Sequence, residues 1–137
     1  MKVLIATEKP FAATAVQGIK EVVEQAGYEL ALLEKYTQKS ELLNAVADAD
    51  ALIVRSDKVD AEVLQAAKNL KIVVRAGAGF DNLDLEAATA HNVVAMNTPG
   101  QNSNAVAELV LCGLLLGSRN IVGGVNWAQT LKGEGDA

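Results

Sequence analysis

One cysteine in 137 residues excludes an intrachain disulfide and a thiolate-rich metal centre, and points to a reducing, cytoplasmic setting. The single histidine, His91, has no carboxylate spaced to complete a dyad or a metal pair, so it reads as an exposed loop residue. Aromatic residues make up only 4% of the chain, and the apolar load falls on Ala, Val and Leu, which suits helices packed on a parallel sheet. Positive charge is in deficit, with 12 Lys and Arg against 17 Asp and Glu. The net charge of -5 argues against nucleic acid or an anionic membrane surface as a partner, while leaving room for a small anion held by locally focused arginines. Long apolar runs are also missing. The start "MKVLIATEKP" is broken by charge and Ala105 to Leu116 contains Glu108, so neither a signal peptide nor a bilayer span is expected.

What is present is alternation. Short apolar runs at Val3 to Ala6, Glu29 to Leu33, Ala51 to Arg55, Lys71 to Arg75 and Val93 to Met96 read as five buried strands. Between them, Phe11, Ala15, Ile19 and Val22 repeat at helical spacing, followed by Leu42, Leu43 and Val46, by Val63, Leu64 and Ala67, and by Leu85, Ala88 and Thr89. Ser40, Asp60 and Asp84 are the expected caps of the later three helices. Strict β/α alternation predicts an α/β fold, a doubly wound five-stranded parallel sheet with helices on both faces and right-handed crossovers. Analogy with other five-unit sheets gives the flavodoxin-like order 2-1-3-4-5. A longer helix from Asn104 to Arg119, capped by Ser103 or Asn104, is apolar nearly all round and demands burial all round. Cys112 within it reads as a buried, inert thiol. Residues 123–137 carry glycines without periodicity and read as a linker or frayed tail, in which Trp127 is either a packing anchor or exposed.

Ligands of open α/β sheets bind outside the carboxyl ends of the strands, which here carry Thr7-Glu8-Lys9, Glu34-Lys35-Tyr36, Arg55-Ser56-Asp57, Arg75 to Gly79, and Asn97-Thr98-Pro99. With the third and fourth strands adjacent, Arg55 and Arg75 share one rim, with the loop from Gly77 to Gly79 between them and Asn97, Thr98 and Asn102 beside it. Unshielded backbone N–H groups at such glycines and the planar guanidinium groups suit a carboxylate or a phosphate. Spacing alone leaves a second reading open, in which Gly77 and Gly79 only permit the turn and the arginines are solvated. The loop is not a dinucleotide fingerprint, because Asn82 stands where G-x-G-x-x-G requires its third glycine and a new helix cap intervenes at Asp84. A phosphate-binding P-loop is absent as well.

The segments "RAGAGFDNLD", "AMNTPG" and "NAVAELV", in this order and at close spacing, resemble the D-2-hydroxyacid dehydrogenases over nearly the whole chain. The resemblance implies a two-domain, NAD-dependent enzyme of which this is the N-terminal part, and oxidation of 3-phosphoglycerate to 3-phosphohydroxypyruvate at the entry to serine biosynthesis. It assigns residues 1–100 to a substrate-binding domain, 101–122 to an interdomain and dimerisation helix, and 123–137 to the linker or tail. The substrate contacts it implies are Arg55, Ser56, Arg75, Ala76, Gly77, Ala78, Gly79 and Asn102. In this family the dinucleotide fingerprint and the catalytic arginine, glutamate and histidine lie beyond Ala137, so the expectation is a truncated chain with no catalytic, cofactor-binding or metal-binding residue, and His91 is not the family's histidine. The family's substrate domain is also completed by a segment returning from near its C-terminus. Without its partners the helix from 104 to 119 is expected to drive a homodimer or higher oligomer. A different class of function, a noncatalytic module for small anions or for oligomerisation, fits the same residues. A signalling receiver does not, since its acidic pair, phosphorylatable aspartate and lysine are replaced by Thr7-Glu8-Lys9, Arg55-Ser56 and Asn97.

Overall fold

A computed structural model describes residues 1–133. By backbone contacts the chain divides into two compact units, Met1–Gly100 and a second beginning at Gln101. The first holds five parallel strands: β1 (Lys2–Thr7), β2 (Glu29–Glu34), β3 (Ala51–Val54), β4 (Ile72–Arg75) and β5 (Val94–Asn97). Their order is β2-β1-β3-β4-β5, the order taken by analogy with other five-unit sheets. The register pairs Leu4 with Leu52, Leu52 with Val73 and Val73 with Ala95, so these side chains share one face of the sheet.

Crossover direction decides where the helices go. Only the step from β1 to β2 runs toward the β2 edge, so α1 (Ala13–Gln25) lies on one face. The three later steps run the other way and place α2 (Lys39–Val46), α3 (Ala61–Ala66) and α4 (Leu85–Ala90) on the opposite face. The main core sits under these three helices, where Leu4, Ala6, Leu52, Val54 and Val73 pack against Leu42, Val46, Val63, Leu64 and Ala88. The face with α1 is thinner: Ile5 is fully buried, but Val94 and Met96 on β5 are 57% and 51% exposed. Helices on both faces were expected, and within this unit the coverage over β3 to β5 is one-sided.

Several local expectations are corrected. The inward stripe of α1 is Val16, Ile19 and Val23, whereas Val22 faces solvent, because the helix starts at Ala13 and Phe11 lies outside its period. Asp60 and Asp84 do cap α3 and α4, accepting the N–H groups of Val63 and Ala87. Ser40 is instead inside α2, whose cap position is Gln38. There Glu41 reaches back to the N–H groups of Thr37 and Gln38 at 3.1 and 3.0 Å.

In the second unit, α5 (Ser103–Ser118) takes Asn102 as its cap, not Ser103 or Asn104, through the Asn102 carbonyl that accepts Val106 N–H at 3.1 Å. A sixth helix, α6 (Ile121–Thr130), occupies much of the stretch expected to be a linker or frayed tail. Asn120 in the left-handed region, φ 46°, breaks the two apart with a bend of 59°. A Cβ at Gly123 would clash with the Asn120 side chain, so this glycine makes room for the break and does not loosen the chain. Residues 134–137 of the expected tail lie outside the described residues. No single helix among the described residues is long and apolar enough to cross a membrane. Cys112, expected to be buried, is exposed, as is every residue of α5.

Candidate functional site

Parallel register brings the predicted rim together. Val54 pairs with Arg75 and Arg75 with Asn97, so the loops leaving β3, β4 and β5 start side by side at the carboxyl ends of their strands. Arg55 follows Val54 and is exposed, and its carbonyl accepts a hydrogen bond from Arg75 Nε at 3.0 Å. The Arg75 side chain thus turns toward the neighbouring loop and lies over its own glycines. A Cβ built on Gly77 would collide with Nη1 of Arg75 and stand 2.7 Å from Cζ, and one on Gly79 would be 3.5 Å from Nη1.

Neither Gly77 nor Gly79 has a positive φ, so the turn itself does not require glycine. What requires it at Gly77 is the close approach of the guanidinium group to the backbone, whereas at Gly79 the nearest atom to such a Cβ is Asp81 Oδ1 at 3.0 Å. The remaining backbone groups are sorted by direction. Ala76 N–H goes to the Val54 carbonyl at 2.8 Å, while the carbonyls of Gly77 and Ala78 accept Thr98 N–H at 2.9 Å and Asn97 Nδ2 at 2.7 Å. The N–H groups of Ala78 and Gly79 have no acceptor among the described residues. Gly77 N–H is taken by the Arg75 carbonyl at 2.9 Å, so the two amides left over, Ala78 and Gly79, beside a guanidinium group, are the donors this loop can offer an anion.

Ser56 stands next to this rim on a 110 Å³ cleft lined also by Thr7, Glu8, Lys9 and Asp57. Asn102 belongs to the second unit, where it caps α5 with no side-chain capping bond. His91 is exposed, with Nδ1 2.8 Å from the Ala87 carbonyl. Among the described residues no three His, Cys, Asp or Glu side chains converge to hold a metal ion. The Gly77 to Gly79 loop does not fit a dinucleotide either, since α4 starts only at Leu85 and no helix N-terminus follows the glycines directly.

The strand-end reading named Glu8, Tyr36 and Asp57 but gave them no role. Asp57 is only 5% exposed. Its Oδ1 accepts Glu8 N–H and the Tyr36 hydroxyl, both at 2.7 Å, and its Oδ2 accepts Ser56 N–H at 3.3 Å. Burial, then the hydrogen bond and charge of Asp57, push the Tyr36 hydroxyl above the usual tyrosine range. The available signal was positional: Glu8, Tyr36 and Asp57 all lie within three residues of a strand's carboxyl end.

The sequence places this arrangement in a known family. Residues 4–132 match the family of D-isomer specific 2-hydroxyacid dehydrogenases, catalytic domain, and the chain belongs to that family. Within it, the chain is 41% identical over 122 residues to a D-3-phosphoglycerate dehydrogenase of Archaeoglobus fulgidus, covering 88% of this chain and 22% of that protein. It is 55% identical over 84 residues to the enzyme of the same name from Mycobacterium leprae, covering 61% of this chain and 16% of the relative. A crystal structure of NAD+-bound 3-phosphoglycerate dehydrogenase from Entamoeba histolytica superposes with a TM-score of 0.79 at 51% identity, covering 85% of this chain and 39% of that one. The chain therefore spans well under half the length of these relatives.

Proposed function

We propose that residues 1–100 are the substrate-binding portion of an NAD-dependent 3-phosphoglycerate dehydrogenase, catalytic only together with a cofactor domain. Arg55, Ser56, Arg75 and the backbone from Ala76 to Gly79 hold the charged groups of the substrate. The observation that carries this reading is the packing of the Arg75 guanidinium over Gly77, beside two amides without acceptors among the described residues. Guanidinium and amide donors hold a carboxylate or a phosphate and orient the carbon that bears the hydroxyl. NAD, as cofactor of the whole enzyme, accepts the hydride; no residue described above is assigned to it. The names of the relatives support 3-phosphoglycerate as substrate, and the contact of Asn102 rests on the family resemblance alone.

Titration of the chain with 3-phosphoglycerate, followed by amide chemical shifts, tests the reading. The expected result is saturable shifts at Ala78 and Gly79 that are lost in Arg75→Ala. A folded protein whose loop amides do not respond at millimolar ligand refutes it.

The second unit, on this reading, supplies an interdomain and dimerisation helix. Leu109, Leu114 and Trp127 are 71%, 65% and 65% exposed, an apolar surface that favours self-association in a cytoplasmic enzyme. Light scattering should give at least twice the mass of one chain, and a monomer at micromolar concentration would overturn this part.

A further inference from the structure

Asp57 is a buried carboxylate without a cation within salt-bridge distance among the described residues, a costly arrangement unless hydrogen bonds replace its hydration. Three donors do so, and they come from three different loops: Glu8 N–H after β1, Tyr36 Oη after β2 and Ser56 N–H after β3. A fourth loop joins through the backbone, because the Asp57 carbonyl accepts Asn82 Nδ2 at 2.7 Å. Asn82 in turn receives Val59 N–H on its own carbonyl at 2.9 Å, and the Val59 carbonyl receives Asp84 N–H at 2.9 Å. One residue thus ties together the loops that leave four of the five strands.

The position of this knot gives it a consequence. The peptide between Arg55 and Ser56 is held from both sides: its carbonyl, on Arg55, by Arg75 Nε at 3.0 Å, and its N–H, on Ser56, by Asp57 Oδ2 at 3.3 Å. Rotation of that peptide would swing the carbonyl that anchors the Arg75 guanidinium. An apolar residue at 57 would fill the volume but leave Ser56 N–H and Glu8 N–H without acceptors. We propose that Asp57 is a positioning residue, which sets the Arg55–Ser56 peptide and through its carbonyl the direction of the Arg75 guanidinium on the anion rim. This rests on the reading of the rim as an anion site.

Two substitutions separate positioning from plain stability. In Asp57→Asn the amide oxygen can keep Glu8 N–H and Tyr36 Oη, while its NH₂ group faces Ser56 N–H, donor against donor. Tyr36→Phe removes a hydrogen bond from the same carboxylate but leaves Ser56 held. Both variants are measured against the unaltered chain in three ways: thermal unfolding, amide hydrogen exchange by NMR, and titration with 3-phosphoglycerate well below the melting temperature. Asp57→Asn should speed exchange at Ser56 by about tenfold while leaving Leu52 and Val54 protected, and should weaken 3-phosphoglycerate binding by roughly three- to tenfold, the worth of one hydrogen bond. Tyr36→Phe should lower the melting temperature with binding changed less than twofold.

Unaltered Ser56 exchange in a folded Asp57→Asn overturns the proposal. So do binding losses that follow the melting temperature equally in both variants. If the unaltered chain binds no 3-phosphoglycerate, the anion reading falls, and the exchange data still decide whether Asp57 sets the peptide.

Discussion

Gly77→Ala asks whether the first loop glycine is kept for its backbone freedom or for the space above it. The backbone at Gly77 has no positive φ, so alanine fits it without strain and restricts the unfolded chain, a gain of about 0.4–1 kcal/mol. The added methyl group, however, falls where Arg75 Nη1 lies, and the guanidinium must swing aside. Its hydrogen bond to the Arg55 carbonyl, 3.0 Å, is then lost, at about 0.5–1.5 kcal/mol for a solvent-accessible donor. The two effects nearly cancel, so Gly77→Ala alone should change stability by an amount between about 0.5 kcal/mol stabilising and about 1 kcal/mol destabilising.

The informative quantity is the coupling. In an Arg75→Ala background there is nothing to displace, and the same substitution should stabilise by about 0.4–1 kcal/mol. Urea unfolding of the four proteins, followed by circular dichroism, gives a double-mutant cycle with an expected interaction energy of about 1 kcal/mol. An equal effect of Gly77→Ala in both backgrounds would show that the guanidinium does not occupy that space, and would return Gly77 to the role of an ordinary turn residue.

Two further substitutions test the fold. Asp60→Ala removes the cap of α3 and should cost about 1 kcal/mol near neutral pH. Burial alone would raise the Asp60 carboxyl, but Lys39 Nζ at 2.8 Å and Val63 N–H at 3.3 Å hold it below the ordinary carboxylate range. A depressed folded value contributes stability that is present above the unfolded value of about 3.9 and is lost as pH falls through the folded one. The two proteins should therefore converge in urea midpoint as pH falls below the ordinary carboxylate range, and a gap that widens on acidification contradicts the assignment. Leu52→Ala, in the three-helix core, should cost about 2–5 kcal/mol by chemical denaturation, whereas Met96→Ala on the open face should stay within about 0.5 kcal/mol. Comparable losses would mean that the face beside β5 is covered.

The rim was legible in the sequence because a parallel sheet converts strand ends into neighbours. Once the alternation fixed the strands, Arg55, Arg75 and the loop after Arg75 had to lie along one edge. Two things resisted that logic. The purpose of Gly77 depends on where a flexible arginine side chain rests, which spacing does not encode. The knot at Asp57 joins residues up to 49 positions apart, Glu8 and Asp57, through side-chain geometry. Position in the chain says only that both lie near strand ends. The glycines of α6 misled in the opposite way: Gly123 resembles a linker residue, yet it serves the left-handed break at Asn120.

The open side of the sheet follows from topology and not from a defect in the sequence. Successive residues of β4 and β5, Ile72 to Val74 and Val94 to Met96, are apolar at both parities, a pattern that fits a sheet buried on two faces. Right-handed crossovers that all advance from β2 through β5 can only deposit helices on one face, and only the single reversed step to β2 serves the other. With this strand order the connections within residues 1–100 put no helix over β5 on the side of α1. Val94 and Met96 are accordingly left exposed, and the cost of Met96→Ala measures directly how open that face is.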